Sequence, residues 1–315
     1  EDIFLNNPYT PSFHLLVLVE NGKPIVTDQE KADSLAQHYK EVSSTHNYPK
    51  SFQEIKMAKE NDIENIIQQA IEEGDNEDYN TPFSLIELEV ALKKGKNTAP
   101  GIDKISYDMI RKLPDNGKLK LLEMFNKSWT IGEIPETWAE AEIIPLPKPG
   151  KDPSQTSSYR PISLTTVLTK IMQRMIKNRL VPHLENNHLM PDSQSGCRPN
   201  RSCEDHILKL ETDIRRAQYE NKYVLAIFLD LSNAFDRSWN KGVLHELIKI
   251  SIKGRLLIWI KGFLKDRKIT VNVNSKNSNI TILENGCPQG SVLSPIIFGI
   301  LMNTLANTIK QFNED

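Results

Sequence analysis

Apolar positions along the chain mark out its elements before any other property is considered. Leu35, Ala36 and Tyr39 share one face of a helix opened by Thr27 and Glu30, the Ser/Thr-x-x-Glu arrangement in which side chains and backbone at a helix start satisfy each other. Ile63, Ile66, Ile67 and Ala70 predict a second helix, and acidic and polar residues between Glu72 and Asn80 break the pattern. Ser84 and Glu87 form another capping box, with Phe83 placed to staple onto Leu88, and this helix is expected to run to about Gly95. Ala99-Pro100-Gly101 reads as a turn, and Leu121, Leu122, Met124 and Phe125 give a buried-face helix from Lys118 to Trp129. Glu142 to Leu146 reads as a short strand, Lys148 to Ser158 as a polar loop, and Leu164 to Leu184 as a long helix. On that helix Leu168, Ile171, Met172, Met175 and Leu180 face inward, while Lys170, Arg174, Lys177 and Arg179 occupy the other faces. Further helices are expected around Val243–Ile250 and Leu256–Leu264. Alternation at Ile269, Val271 and Val273, and again at Ile280 and Ile282 across the Ser275–Ser278 turn, is a hairpin signature.

The run from Tyr223 through Val224, Leu225, Ala226, Ile227, Phe228 and Leu229 is continuously apolar and ends at Asp230, which predicts a buried strand with a carboxylate at its exposed end. Taken alone, the pattern favours an Asp that merely caps the following turn. Its sharper reading is a rigid ligand for a divalent metal ion in nucleotidyl transfer.

The chain has 315 residues and 38% hydrophobic content, enough for a substantial core. No apolar run approaches the roughly 20 residues that cross a bilayer, the longest lying near Pro295 to Met302; no signal peptide is visible, and no membrane association is expected. The net charge of −2 conceals an asymmetry: residues 1–92 hold 6 lysines, no arginine and 18 acidic side chains, whereas residues 93–315 carry a net charge of +10. A basic excess of that kind suits phosphate neutralisation, although spread over so many residues it also suits a solvated surface. Cys197, Cys203 and Cys287 are odd in number and form no Cys-x-x-Cys pair, which argues against a zinc site or a disulfide framework and for an intracellular chain.

Five segments occur in a fixed order: Thr98-Ala99-Pro100-Gly101-Ile102-Asp103; Ile144-Pro145-Leu146-Pro147-Lys148-Pro149-Gly150-Lys151 leading to Tyr159-Arg160-Pro161-Ile162-Ser163-Leu164; Gln194-Ser195-Gly196-Cys197-Arg198-Pro199; the Asp230 run through Phe235 and Asp236; and Gly286-Cys287-Pro288-Gln289-Gly290-Ser291. Together, over residues 83 to 303, they resemble the reverse transcriptase of a non-LTR retrotransposon, a long interspersed element of the jockey-like group. The resemblance implies an α+β fold: the fingers and a partial palm of a right-hand polymerase, preceded by a mainly helical N-terminal extension. It divides the chain into an acidic extension or linker at 1–82, leading helices of the fingers at 83–125, and the reverse transcriptase domain at 126–315. Cys197 and Cys287 stand where the family usually has Phe and Val, which implies small buried apolar roles.

The family's site residues map onto this sequence by motif. Asp230, with the backbone carbonyl of Leu231, is the implied ligand of a two-ion Mg²⁺ site. Phe235 matches the aromatic residue beneath the sugar of the incoming nucleotide, where a bulky ring excludes a 2′-hydroxyl; a core Phe is the alternative. Gln289 and Gly290 resemble the loop that contacts the nucleotide. Arg160, with Lys148 or Lys151, resembles the clamp on the triphosphate, and the sequence leaves open which lysine reaches. Arg198 and Arg201 are candidates for template phosphates or simply solvated loop arginines. Asp236, six residues past Asp230, is expected to play a structural role such as bonding the start of the next helix.

The implied activity is RNA-directed DNA polymerisation, with an RNA template, a DNA primer or target and deoxynucleoside triphosphates as partners. An upstream endonuclease and a downstream palm and thumb of the same polyprotein are expected, as is action in the nucleus, with a cytoplasmic ribonucleoprotein as the other setting. The family's Tyr/Phe-Ala-Asp-Asp turn is absent from these residues, so the chain reads as a fragment that is inactive alone. Rival readings are a group II intron or retron enzyme, an RNA-templated RNA polymerase, and a decayed or domesticated nucleic-acid-binding remnant.

Overall fold

The computed structural model describes residues 15, 17–20, 22–74 and 77–312. A hairpin of β1 (Leu18–Glu20) and β2 (Lys23–Ile25) leads into α1 (Asp28–Ser43) and the long α2 (Lys50–Glu73). There follow α3 (Leu85–Lys93), α4 (Tyr107–Arg111), α5 (Asp115–Ile131), β3 (Glu140–Pro147), β4 (Tyr159–Leu164) and α6 (Val167–Asn186). The remainder comprises α7 (Cys203–Tyr219), α8 (Asn240–Lys249), α9 (Gly254–Leu264), β5 (Arg267–Val273), β6 (Lys276–Asn277), β7 (Thr281–Leu283), α10 (Ser294–Leu301) and α11 (Asn303–Phe312). This is an α+β fold, with one mixed sheet among many helices. Both expected capping boxes form, Thr27 with Glu30 and Ser84 with Glu87.

The sheet is ordered β4-β3-β5-β6, with β7 also paired to β5. β3 runs antiparallel to β4, placing Leu146 opposite Arg160, and parallel to β5, placing Ile143 opposite Val271. The expected long helix therefore begins later than its apolar pattern suggests: Leu164 ends β4, and Thr166 caps α6 by accepting the Thr169 N–H. Pro161 and Pro145 face each other where neither must donate to an inner strand.

Two cores form. On β5, Ile269, Val271 and Val273 alternate inward and meet Leu35, Ala36 and Tyr39 of α1, together with Leu18, Ile143 and Tyr159. The larger core joins α2, α3, α5, α6, α8, α9 and α10 around Trp129, Trp259, Met172 and Met175, all fully buried. The two methionines are the packing residues their spacing predicts. The acidic N-terminal residues lie directly against later parts of the chain. The Val19 N–H bonds the Ser154 carbonyl at 2.8 Å, and Asn285 Nδ2 donates to the Ser43 carbonyl at 2.9 Å. Tyr48 donates its hydroxyl to the Arg237 carbonyl at 2.8 Å.

Two expectations need correction. Residues 223–231 form no strand, and Leu225, Ile227, Phe228 and Leu229 are each at least 74% exposed. The reason lies in pairing: an apolar strand is stable only when its N–H and C=O groups have a neighbour and both faces have cover. Here β3 is occupied on both sides and β5 is paired with β3, β6 and β7, so the sheet offers this segment no central position. Cys197 is exposed rather than buried, because it sits with positive φ (60°) in a surface turn; Cys287 is buried as expected. The helix α7 carries no buried side chain.

Candidate nucleotide-binding site

Three segments far apart in sequence meet at the loop of residues 286–290. From β4, the Ser163 N–H donates to the Gln289 carbonyl at 2.8 Å. Gly290 has φ +101°, and a Cβ there would stand 3.0 Å from the Ser163 carbonyl oxygen, so this approach of two backbones requires glycine. On its other side the loop is fastened to the turn that follows Asp230. The Gly286 N–H donates to the Ser238 carbonyl at 2.8 Å, and the Cys287 N–H donates to the Phe235 carbonyl at 2.8 Å. Gly286 (φ +100°) is pressed so closely onto this turn that a Cβ would lie 2.6 Å from the Asp236 carbonyl oxygen.

The side chains extend the same joint. Gln289 Nε2 donates to Asp236 Oδ2 at 2.8 Å. Burial pushes the Asp236 carboxyl above its ordinary value, while the Gln289 amide and the charges of Arg267 and Lys148 act the other way. Arg267 is buried and its Nη2 donates to the Asn285 carbonyl at 2.9 Å. Gln173, fully buried on α6, accepts from Ser291 Oγ at 2.8 Å and from the Val292 N–H at 2.9 Å, which pins the far end of the loop.

Arg160 and Lys151 are exposed, and neither side chain is hydrogen-bonded among the described residues. Lys148 Nζ donates to the Ser157 carbonyl at 2.7 Å, which orders the loop between β3 and β4. Arg160, Gln289, Gly290 and Phe235 are thus carried by elements bonded to one another, with Lys148 and Lys151 on the adjoining loop. Phe235 is half-buried, its ring 4.9 Å from that of Phe298, and both rings line a cavity of about 500 Å³ with Pro295, Met302 and Leu305.

Asp230 and Leu231 are not among the groups bonded into this joint. Both are exposed, and no hydrogen bond or ion pair links the Asp230 carboxylate to Arg160 or Gln289. Among the described residues no group of three or more His, Cys, Asp or Glu side chains could hold a metal ion. Asp230 offers the hard oxygen that Mg²⁺ prefers, but one carboxylate does not complete a site. Arg198 turns inward, whereas Arg201 pairs with a carboxylate at the surface. Arg198 meets Glu185 at 2.9 and 2.7 Å and the Pro191 and Gln194 carbonyls at 2.6 and 3.1 Å, and Arg201 meets Asp192 at 2.7 Å.

Sequence reasoning missed Gln173 and the partner of Asp236. Gln173 interrupts the apolar face of Ile176 and Leu180, and a polar residue at such a position is itself a signal. Asp236 does not cap α8, whose N-cap is Trp239 without a side-chain hydrogen bond, because its carboxylate is drawn to Gln289 instead.

Residues 146–314, from the Arg160 hairpin through the Gln289 loop, match the family described as reverse transcriptase (RNA-dependent DNA polymerase). The RNA-directed DNA polymerase from mobile element jockey of Drosophila melanogaster is 33% identical over 228 residues, 71% of this chain and 25% of that protein. Its counterpart in Drosophila funebris is 34% identical over 227 residues, 72% of this chain and 25% of that protein. The probable RNA-directed DNA polymerase from transposon X-element of Drosophila melanogaster is 30% identical over 279 residues, 88% of this chain and 30% of that protein. The chain spans about a quarter of the length of the jockey relatives it matches. With more than half its length inside the matched region, and with similarity to the enzymes of non-LTR retrotransposons, the chain belongs to the reverse transcriptase family.

Proposed function

We propose that this chain forms the fingers and the first part of the palm of an RNA-directed DNA polymerase of a jockey-like retrotransposon. The proposed reaction joins a deoxynucleoside triphosphate to the 3′-hydroxyl of a primer on an RNA template. The observation that carries this reading is the joint itself: the β4 strand of Arg160, the Gln289 loop and the Phe235 turn are bonded together at 2.8 Å contacts.

In this reading the exposed fork of Arg160, with Lys148 or Lys151, receives the triphosphate, for which a planar guanidinium and an ammonium point charge are complementary. Gln289 and Gly290 face the nucleotide, and the Phe235 ring, supported by Phe298, discriminates against a 2′-hydroxyl. Asp230 and the Leu231 carbonyl would supply part of the magnesium site. When bound, the metal neutralises charge on the reacting phosphate oxygens. Arg198 and Arg201 steady the 185–201 segment through Glu185 and Asp192, and that segment follows the template.

Because no group of three or more His, Cys, Asp or Glu side chains among the described residues could hold a metal ion, the 315-residue chain by itself is expected not to extend a primer. Primer extension on an RNA template, run with this chain and with the product of the complete reading frame that contains it, tests both statements. Incorporation by the longer protein alone supports them. Failure of the longer protein to use any deoxynucleotide defeats the polymerase assignment, and incorporation by the isolated chain defeats the claim of an incomplete metal site.

A further inference from the structure

We infer that Asp236 is a positioning residue for nucleotide binding, which acts by accepting a hydrogen bond from Gln289 and so fixing which end of the Gln289 amide faces the incoming nucleotide. The inference rests on the polymerase reading above and concerns a residue that touches no substrate.

A glutamine side chain has chemically opposite ends, a carbonyl acceptor and an NH₂ donor, and a free one presents either by rotation. Gln289 is not free. Its partner Asp236 Oδ2 is 2.8 Å away and, when ionised, can only accept, so the NH₂ end is committed to Asp236 and the carbonyl end is turned outward. The backbone gives the pair no latitude. Gly286 lies against the Asp236 carbonyl, Cys287 is bonded to Phe235, and the Gln289 carbonyl is taken by Ser163.

The surroundings keep the carboxylate in this role. Charged and titratable groups face it from each packed element: Tyr39 from α1, Lys148 from the loop after β3, Arg267 from β5 and Cys287 from the loop itself. Burial raises the carboxyl above its ordinary value, and the Gln289 amide, Arg267 and Lys148 act against that rise. Tyr39, 5% exposed with an unpartnered hydroxyl, closes the α1 side, and burial together with the Asp236 charge raises its phenol far above the ordinary value. Nothing in this arrangement caps a helix or completes a core. Its one directional consequence is the orientation of Gln289.

The test is steady-state incorporation by the protein from the complete reading frame, with Asp236→Leu, Asp236→Ala, Asp236→Asn, Gln289→Ala and the double variant Asp236→Leu/Gln289→Ala. Loss of one charge-assisted hydrogen bond is expected to raise KM for the deoxynucleotide about tenfold in Asp236→Leu and in Asp236→Ala, with kcat changed by less than about threefold. Asp236→Asn keeps an oxygen acceptor and is expected to stay within about threefold of the unmodified protein. In the Gln289→Ala background, Asp236→Leu is expected to add nothing, because the group it orients is gone. Thermal unfolding identifies any variant that does not fold, and the Leu and Ala replacements are read in parallel so that one folded variant suffices. Unchanged KM in a folded Asp236 variant, an equal loss in Asp236→Asn, or a full further loss in the Gln289→Ala background would each overturn the inference. An unmodified protein that incorporates nothing brings down the polymerase reading, and the inference with it.

Discussion

Replacing Arg179 with alanine removes the most heavily bonded side chain in the larger core's wall. From α6 its guanidinium meets Glu87 through two hydrogen bonds, Nε to Oε1 at 2.6 Å and Nη2 to Oε2 at 2.9 Å. It also donates to the carbonyls of Tyr79 at 3.1 Å and Pro82 at 3.0 Å and to that of Thr81, and it stacks 4.1 Å from the centre of the Phe83 ring. Breaking a fully buried ion pair costs about 3–5 kcal/mol, and losing an exposed one costs about 0–1. The two side chains are 13% and 27% exposed, so an intermediate cost of about 2 kcal/mol is appropriate. The lost ring contact adds about 0.5–1 kcal/mol. A total of about 3 kcal/mol corresponds to a fall in Tm of roughly 4–5 °C for a chain of this size, measured by calorimetry or by intrinsic fluorescence of the tryptophans.

The sign of the pH dependence follows from Glu87. Burial opposes its ionisation, but the hydrogen bonds and charge of Arg179, with the amide and hydroxyl of Ser84, outweigh burial and hold its carboxyl below the ordinary 4.5. A carboxylate depressed in the folded state stabilises fully above its unfolded value and ceases to do so as pH falls through the folded one. The Tm gap between the unmodified protein and Arg179→Ala should therefore be full above pH 4.5 and narrow in more acid solution, to the part due to the carbonyl and ring contacts. A fall of less than about 1 °C, or a gap that persists undiminished at acid pH, would show that the ion pair does not hold this wall.

Asp230→Asn should abolish primer extension by the product of the complete reading frame while leaving Tm within about 1 °C, since the side chain is exposed and unbonded; a large stability change would assign Asp230 a structural role. Asn80→Ala should cost about 2–3 kcal/mol in denaturant unfolding, because the 1% exposed amide accepts from the Leu256 N–H at 2.9 Å, capping α9, and donates to the Lys253 carbonyl at 3.1 Å. Gly286→Ala combines a positive φ with a Cβ 2.6 Å from the Asp236 carbonyl and should cost at least ~2 kcal/mol by the same measurement; a neutral result would mean that the loop relaxes without loss. Under native conditions a thiol reagent should label Cys197 and Cys203 and spare Cys287, whose thiol burial pushes up to about 12; mass spectrometry of the labelled peptides reads this directly.

Local chemistry was most legible where one segment decides its own structure. The two capping boxes, the apolar face of α6 and the alternation of β5 depend on residues three or four apart, or on strict alternation, and they form as their sequences indicate, whereas Ile280 and Ile282 are exposed and residues 276–277 of the expected turn pair as β6. β4 was hidden because Tyr159-Arg160-Pro161 carries no clean alternation and is strand only by virtue of β3 beside it. Residues 223–231 failed in the opposite way, since strong β-forming side chains cannot supply the partner a strand needs. The motifs singled out Gln289, Gly290, Arg160 and Phe235, whose elements the fold bonds to one another. That backbone bonds join them, that Gln173 and Arg267 brace them, and that Arg198 serves Glu185 could not be read, because each depends on contacts between distant parts of the chain.

The bare stretch from Tyr223 to Leu231 has a practical corollary for anyone handling this polypeptide. Its amide groups are unclaimed among the described residues, its side chains are oily on both faces, and it holds no charge before Asp230 and no proline, the composition from which molecules stack edge to edge into cross-β aggregates. Precipitation during purification should begin there, and a single lysine in place of Ile227 should keep concentrated stocks clear.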